Sequence, residues 1–314
     1  MSVNIPPLRE DPDTTAQDGD APAAVCVLVF NANDPCGAGG LAADICAIAS
    51  VGGHPMPIVT GSYVRDSAEI FEHHAFDDEL VAEQARAVLE DAAVRAVKVG
   101  FAGSPEALSA IAQVTADYPE LPVIAYMPDL SWWRDDLIDQ YHDAFTELLL
   151  PQVSVLVGNH NVLWRWLLPD WEGERPPTAR DLAAAAAQSD VPYVLVTGIT
   201  AHDQYLDNTL ASPESVLGNT RFERFEASFV GAGDTLSATL AALIASGCDL
   251  GESTSEALAY LDGCLANGFR PGMGQVLPDR MFWAQPDDDE PEDEPEPDPS
   301  DTSGYEIPPH DTRH

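Results

Sequence analysis

Short, continuously apolar runs alternate with stretches of helical spacing along most of the chain, and that alternation restricts the fold more than any other feature. Residues 24–30 (AVCVLVF), 57–62, 96–101, 122–126, 153–157 and 193–197 read as strands, and 221–227 as a further one. Helical patterns fall at 41–51, 78–93, 105–118, 135–150 and 180–188, and two more helices follow a loop at Gly231. Continuously apolar strands are those buried on both faces. The pattern therefore predicts an α/β protein whose parallel sheet is covered by helices on each side. Ligands in such sheets bind beyond the carboxyl ends of the strands. Glycine-rich or polar turns fall there, at 31–40, 100–104, 158–161, 198–200 and 231–234.

The last of these turns carries the most chemistry. Gly231-Ala232-Gly233 delivers Asp234-Thr235 onto an apolar helical run, Leu236 to Ile244. Glycines let the backbone approach a ligand closely, and the first turn of a helix offers unpaired N–H groups to an anion. A carboxylate at that corner suits a base that takes a proton from a hydroxyl while the loop neutralises a phosphoryl group. The same residues also fit a simple N-cap at Asp234 with a tight glycine turn. Convergence of the turns at one end of the sheet favours the base.

Composition narrows the partners. Of the 314 residues, 53 are acidic and 14 basic, a formal net charge of −39, and Lys98 is the single lysine. Such a charge repels nucleic acid and anionic membrane surfaces. ATP would need Mg²⁺ and local N–H groups to offset that field. No run of 18 apolar residues occurs, and the five cysteines show neither a C-x-x-C pair nor metal-ligand spacing, as expected of reduced thiols in a cytoplasmic protein. Residues 1–22 read as a disordered leader and 23–285 as one folded domain. Residues 286–314 read as an acidic, disordered, solubilising tail, with twelve acidic residues, seven prolines and one arginine.

Five segments, in order, resemble the hydroxymethylpyrimidine/phosphomethylpyrimidine kinases of the ribokinase superfamily. Asn33-Asp34-Pro35-Cys36-Gly37-Ala38-Gly39-Gly40-Leu41-Ala42-Ala43-Asp44 resembles the family's G-[ST]-D-P-S-G-G-A-G-[IL]-Q-A-D. Val97-Lys98-Val99-Gly100-Phe101 resembles T-K-I-G-M, and residues 149–159 (LLPQVSVLVGN) resemble L-L-P-…-I-T-P-N. Gly231-Ala232-Gly233-Asp234-Thr235 resembles G-A-G-D-T, and Gly272-Met273-Gly274-Gln275-Val276 sits where the family ends in G-H-G-I-G-P-V. The resemblance implies a ribokinase-like three-layer α/β/α fold with a mostly parallel central sheet. It implies phosphoryl transfer from MgATP to a hydroxymethylpyrimidine or its monophosphate, feeding thiamine synthesis. Asp234 matches the superfamily base, where the pyrimidine kinases typically carry Cys, and Gly231, Ala232 and Gly233 match the anion hole. Ala32, Asp34, Gly37, Asp44, Arg65 and Phe101 match substrate positions, with Asp44 accepting from a pyrimidine amino group. Asn159, Thr197, Gly198 and Thr235 match nucleotide positions, and no protein metal ligand is expected. A homodimer through edge strands is also common in such relatives, though no residue here establishes one.

Several matched positions depart from that family. Ala32 replaces a glycine, and Arg65, in Arg65-Asp66-Ser67, replaces a pyrimidine-contacting Gln. A guanidinium accepts no hydrogen bond, so Arg65 suits either an acidic ligand or a solvent-facing pair with Asp66. Phe101 replaces a methionine. Val162 stands at a glutamate that organises Mg²⁺, Tyr126 at an aspartate with Asp129 as a displaced substitute, and Thr197 at a lysine for which Arg134 or Lys98 would have to compensate. Two other readings therefore stand beside the first: a kinase of another small alcohol, or a pseudokinase that binds ligand or partner. His73-His74 and His202 read as surface or strand-end residues. Trp132-Trp133 and residues 164–171 (WRWLLPDW) read as buried lid or helix aromatics.

Overall fold

A computed structural model describes residues 24–202 and 204–284; the expected leader and tail, 1–22 and 286–314, lie outside them. The sheet is built on β1 (Cys26–Asn33), whose first seven residues are all buried. Side chains along a strand alternate between faces. Val27 and Val29 join one core and Leu28 and Phe30 the other, so one strand feeds two apolar layers. The remaining strands are β2 (His54–Arg65), β3 (Ile70–Ala75), β4 (Val94–Val99), β5 (Val123–Met127), β6 (Val155–Asn159), β7 (Tyr193–Thr200), β8 (Tyr205–Ala211) and β9 (Val216–Glu223). They lie in the order β3-β2-β1-β4-β5-β6-β7-β8-β9. The six from β2 across to β7 run parallel, and β3, β8 and β9 are antiparallel to their neighbours.

One face is covered by α1 (Gly40–Ser50), α7 (Ala232–Ala245) and α8 (Leu250–Ala266). The other is covered by α2 (Asp78–Asp91), α3 (Pro105–Ala116), α4 (Asp135–Ala144), α5 (His160–Leu167) and α6 (Ala179–Ala186). Local chemistry sets many starts: Asp77 caps α2, Ser104 precedes Pro105 in α3, and Thr178 with Asp181 forms a capping box on α6. The three-layer α/β/α expectation holds.

Several boundaries differ from the sequence reading. Residues 135–150 are not one α-helix, because a π-helical turn, Phe145–Leu149, and a 3₁₀ turn, Leu150–Gln152, finish it. The strand expected at 221–227 is β9 at Val216–Glu223. Strands β3 and β8 were not expected, and α5 takes up the helix reading of residues 164–171 only as far as Leu167. β3 and β9 are mostly exposed edge strands and lack the apolar run that marks a central one. The order in which strands are added reverses at β1, with β2 on one side and β4 on the other, so a switch point lies beside β1.

Candidate active site

Four polar side chains meet inside the apolar layer at that switch point. Asn31 continues the face of Val27 and Val29 on β1, and Lys98 continues the face of Ala96 on β4, so both point toward α1 and α7. Asp44 of α1 and Asp234 of α7 meet them there. Lys98 Nζ donates to Asp44 Oδ1 at 2.8 Å and to Asp234 Oδ1 at 2.9 Å. Asn31 Nδ2 donates to Asp44 Oδ2 at 2.8 Å and to Asp234 Oδ1 at 2.9 Å. The Asn31 carbonyl is fixed by the N–H groups of Ala32 and Phe101. Asp234 Oδ2 accepts from the Gly40 N–H at 2.9 Å, which ties α7 to the start of α1.

Lys98 and Asp44 are fully buried, while the Asp234 side chain keeps 15% of its surface exposed. Burial pushes the Asp44 carboxyl up to about 7, with the Asp234 charge adding to it against the pull of Lys98. Burial also works against ionising Asp234. The Lys98 ammonium and the hydrogen bonds from Lys98, Gly40 and Asn31 outweigh it and hold that carboxyl below its usual range. Burial opposes the Lys98 charge too, yet the two carboxylates raise its pKa. Two acids share one ammonium, so the more enclosed acid holds a proton more readily and the one facing the cavity stays ionised.

Gly231 is the N-cap of α7, with φ +84°. The N-cap reading of Asp234 is therefore overturned: Asp234 lies three residues further on and spends its carboxylate on other elements. A Cβ at Gly231 would meet the Ala38 carbonyl oxygen at 1.6 Å, and one at Gly233 would meet the Tyr126 hydroxyl at 2.2 Å. Only glycine fits either place. The N–H groups of Gly231, Ala232 and Gly233 open the helix without intrahelical acceptors.

A cavity of about 600 Å³ opens onto Gly231 and the exposed part of Asp234. Asp34 and Arg65 line it, paired at 3.2 Å with side chains 0% and 6% exposed. Arg65 is thus turned inward; its contact to Asp66 is only to the backbone carbonyl. Asp34 also accepts from the N–H groups of Cys36 and Gly39, which shapes the 34–39 loop. Tyr63, Tyr126 and Trp132 supply aromatic wall.

Other expected positions stand behind this surface or away from it. Asp44 sits one layer inward, with both oxygens taken by Lys98 and Asn31. Phe101 packs behind Tyr63 and Trp132. Ala32 is buried, and Gly37 instead offers its carbonyl to Arg280. Thr235 is buried and bonds Gly231 and Arg280, so it does not face the cavity. Asn159 caps α5, Thr197 reaches the Gly158 carbonyl, and the Gly198 N–H bonds Asn208. These three lie at adjacent strand ends, outside the cavity lining. Arg134 does not compensate for Thr197: it is exposed and paired with Asp136. A larger cavity, about 800 Å³, lies between α5, α6 and β7–β8 and includes Trp164 and Arg180, but the coupled acids and the glycine turn are absent from it.

The sequence reading missed Asn31 as a site residue, Tyr63 and Arg280. Arg280 is buried and donates to the Gly37 and Ala38 carbonyls and to Thr235 Oγ1, clamping the opening loop to α7. Lys98 did carry a signal, being the only lysine in the chain and set in an apolar strand. No helix among the described residues is long and apolar enough to cross a membrane, and no three or more of their His, Cys, Asp and Glu side chains group so as to hold a metal ion.

The family model described as phosphomethylpyrimidine kinase matches residues 34–279. The chain belongs to the phosphomethylpyrimidine kinase family. It is 28% identical over 246 residues to the thiamine biosynthesis multifunctional protein ThiED of Corynebacterium glutamicum, covering 77% of this chain and 31% of that protein. The chain therefore spans about a third of that relative. It is 26% identical over 268 residues to the hydroxymethylpyrimidine/phosphomethylpyrimidine kinase of Salmonella typhimurium, covering 82% of this chain and 98% of the relative. In fold it is similar to the Bacillus subtilis pyridoxal kinase solved with ADP, with a TM-score of 0.74 at 17% identity, over 83% of this chain and 99% of that one. Family membership accounts for the order of the motifs, while the Lys98–Asp234 pair belongs to a chain with Asp at that corner.

Proposed function

We propose that this chain phosphorylates the hydroxymethyl group of a hydroxymethylpyrimidine, using ATP, as a step in thiamine synthesis, with Asp234 as the base. The observation that carries the reading is the Asp234 carboxylate, held ionised by Lys98 and Gly40 and exposed only toward the cavity. It stands in the first turn of α7, whose N–H groups supply positive potential to an anion. The residues present fit a phosphoryl group, since Gly231 lines the cavity at the start of α7, where the first N–H groups of the helix have no intrahelical acceptor. ATP would supply the transferable phosphoryl group, and Mg²⁺ bound to its phosphates would neutralise part of their charge. Asp234 accepts the hydroxyl proton, and the Gly231, Ala232 and Gly233 amides face the charge that develops. Tyr63, Tyr126 and Trp132 hold an aromatic ring and exclude water. Lys98 and Asn31 orient the base without facing the cavity.

ADP release in the presence of hydroxymethylpyrimidine, compared with a panel of sugar, nucleoside and pyridoxal-type alcohols, tests the reading. Turnover selective for hydroxymethylpyrimidine supports it. The Arg65–Asp34 pair, in place of an amide, favours a second reading in which another small alcohol is preferred, and the same panel separates the two. Absence of turnover with every alcohol counts against both.

A further inference from the structure

A buried guanidinium stands behind the turn that opens α7, and no acid answers its charge. Arg280 is 7% exposed and lies outside the cavity lining, with one terminal nitrogen 2.8 Å from where a Cβ on Gly231 would project. Its donors go to three neutral oxygens, the Gly37 and Ala38 carbonyls and Thr235 Oγ1, and among the described residues no carboxylate is paired with it. The other cations are taken: Lys98 by Asp44 and Asp234, Arg65 by Asp34, and the exposed Arg134 by Asp136. Asp234, the acid of the same turn, gives its oxygens to Lys98, Asn31 and the Gly40 N–H. Burying a charge without a counter-charge is costly, and the positive end of the α7 dipole adds to the cost. The position is nevertheless fixed, since the Arg280 carbonyl accepts from Ser50 Oγ at 2.8 Å and Tyr260 Oη at 2.7 Å. A cation held rigidly at a helix start is the arrangement that an arriving anion completes.

We propose that Arg280 is a positioning residue for phosphoryl transfer: from behind the turn, its charge strengthens the α7 amides that receive the transferred group. The inference rests on the proposed function and adds the source of positive charge at that site. The path is short. Arg280 Nε donates to Thr235 Oγ1 at 2.8 Å, and the Thr235 hydroxyl donates to the Gly231 carbonyl at 2.8 Å. That carbonyl shares its peptide with the Ala232 N–H. Drawing electron density toward a peptide oxygen makes the N–H of the same peptide a stronger donor, and linked hydrogen bonds polarise one another. Thr235 is thus a relay between a buried charge and an amide at the helix start, which gives this buried hydroxyl a role although it does not face the cavity. Arg280 itself exchanges no proton; the hydroxyl proton still passes to Asp234. Its effect grows as charge develops on the transferred group, because a fixed charge in a partly dry site counts for more than it does in water.

The test sets Arg280→Lys, which keeps the charge, against Arg280→Gln, which keeps an amide donor without it, both in the full chain. Turnover of hydroxymethylpyrimidine with MgATP gives kcat and KM, and urea unfolding gives the stability of each variant. Both substitutions loosen the clamp on the opening loop, so both are expected to lose stability and to raise the acceptor KM. The separation comes in kcat, which is expected to be about tenfold or more lower in Arg280→Gln than in Arg280→Lys. Inorganic phosphate titrated alone, with thermal unfolding as the readout, probes the turn without turnover. It is expected to raise the midpoint of the native chain and of Arg280→Lys, and to raise that of Arg280→Gln less. Equal kcat in the two variants, or an equal response to phosphate, overturns the inference, and so does a native chain that phosphate does not stabilise. If no alcohol is turned over, the proposed reaction fails while the phosphate titration still decides the charge at the turn. Should an Arg280 variant fail to fold, the relay residue decides. Thr235→Ser keeps the hydroxyl, and Thr235→Val, similar in shape, removes it. A lower kcat and a weaker phosphate response in Thr235→Val but not in Thr235→Ser support the relay, and native values in Thr235→Val overturn it.

Discussion

Lys98 Nζ lies 2.9 Å from Asp234 Oδ1, although 136 residues separate them in the chain. The same ammonium binds Asp44 at 2.8 Å, so one cation holds two acids drawn from helices on the same face of the sheet. Removing one partner of a buried ion pair leaves uncompensated charge and typically costs about 3–5 kcal/mol. Lys98→Met is therefore expected to lose stability of that order in urea unfolding. The double variant Lys98→Met/Asp44→Asn, which removes charge of both signs, is expected to recover much of it. Additive losses in the double variant would show that the pair is not coupled.

Asp234→Asn keeps the side-chain shape and removes the proton acceptor. Turnover is expected to fall by about 10²–10⁴-fold, the usual contribution of a general base, with alcohol affinity little changed. Steady-state kinetics together with calorimetric binding check both halves. An active Asn variant would remove Asp234 from the base role.

The pH dependence of stability should carry the signature of Asp44. Its carboxyl is pushed up to about 7 from 3.8. The folded state then keeps a proton that the unfolded chain releases, so this contribution is full below about pH 4 and is lost as pH rises through 7. Asp234, held below its usual range, acts oppositely and loses its contribution only in more acid solution. Lys98 keeps its contribution until well above neutral pH, because its pKa is raised. The urea midpoint of the native chain is therefore expected to fall between pH 4 and 7 relative to Asp44→Asn, which lacks the titrating group. Parallel pH curves for the two proteins would exclude the assignment.

Gly231→Ala tests the cradle. A Cβ would meet the Ala38 carbonyl oxygen at 1.6 Å in a backbone already at φ +84°. A loss of about 3 kcal/mol or more is expected, with turnover lost in any fraction that folds. Thermal unfolding and ADP release measure the two effects.

Arg280→Met removes the clamp between the opening loop and α7. The half-buried Gly37 carbonyl, the buried Ala38 carbonyl and Thr235 lose a charged donor, a cost of about 2–3 kcal/mol. Because Asp234 also bonds Gly40 at the end of that loop, KM for the acceptor is expected to rise together with the stability loss. An unchanged KM would confine Arg280 to a purely structural role.

Much of the central sheet was legible in the chain. Runs such as 24–30 are apolar at every position because a parallel strand is enclosed on both faces, and Asp234 was legible because a glycine turn, an acid and an apolar helix are local neighbours. Strands β3 and β8 were not legible, and β9 was legible only at its last residues. They sit toward the edges, where exposure lets polar residues such as Asp207 and Arg221 enter and erases the apolar run. The direction of Arg65 was hidden as well, since one residue's turn inward depends on Asp34, which lies 31 positions away.

The sequence by itself determined the layered α/β architecture, the family and the corner on which a base can stand, because periodicity, turn chemistry and motif order are short-range properties. Only the tertiary structure decided what charge state that corner holds and what surrounds it. Asn31, Asp44, Lys98 and Asp234 come from four different elements, and the protonation of the two acids and the lysine is set by distances of about 3 Å that exist only once the helices close over the sheet.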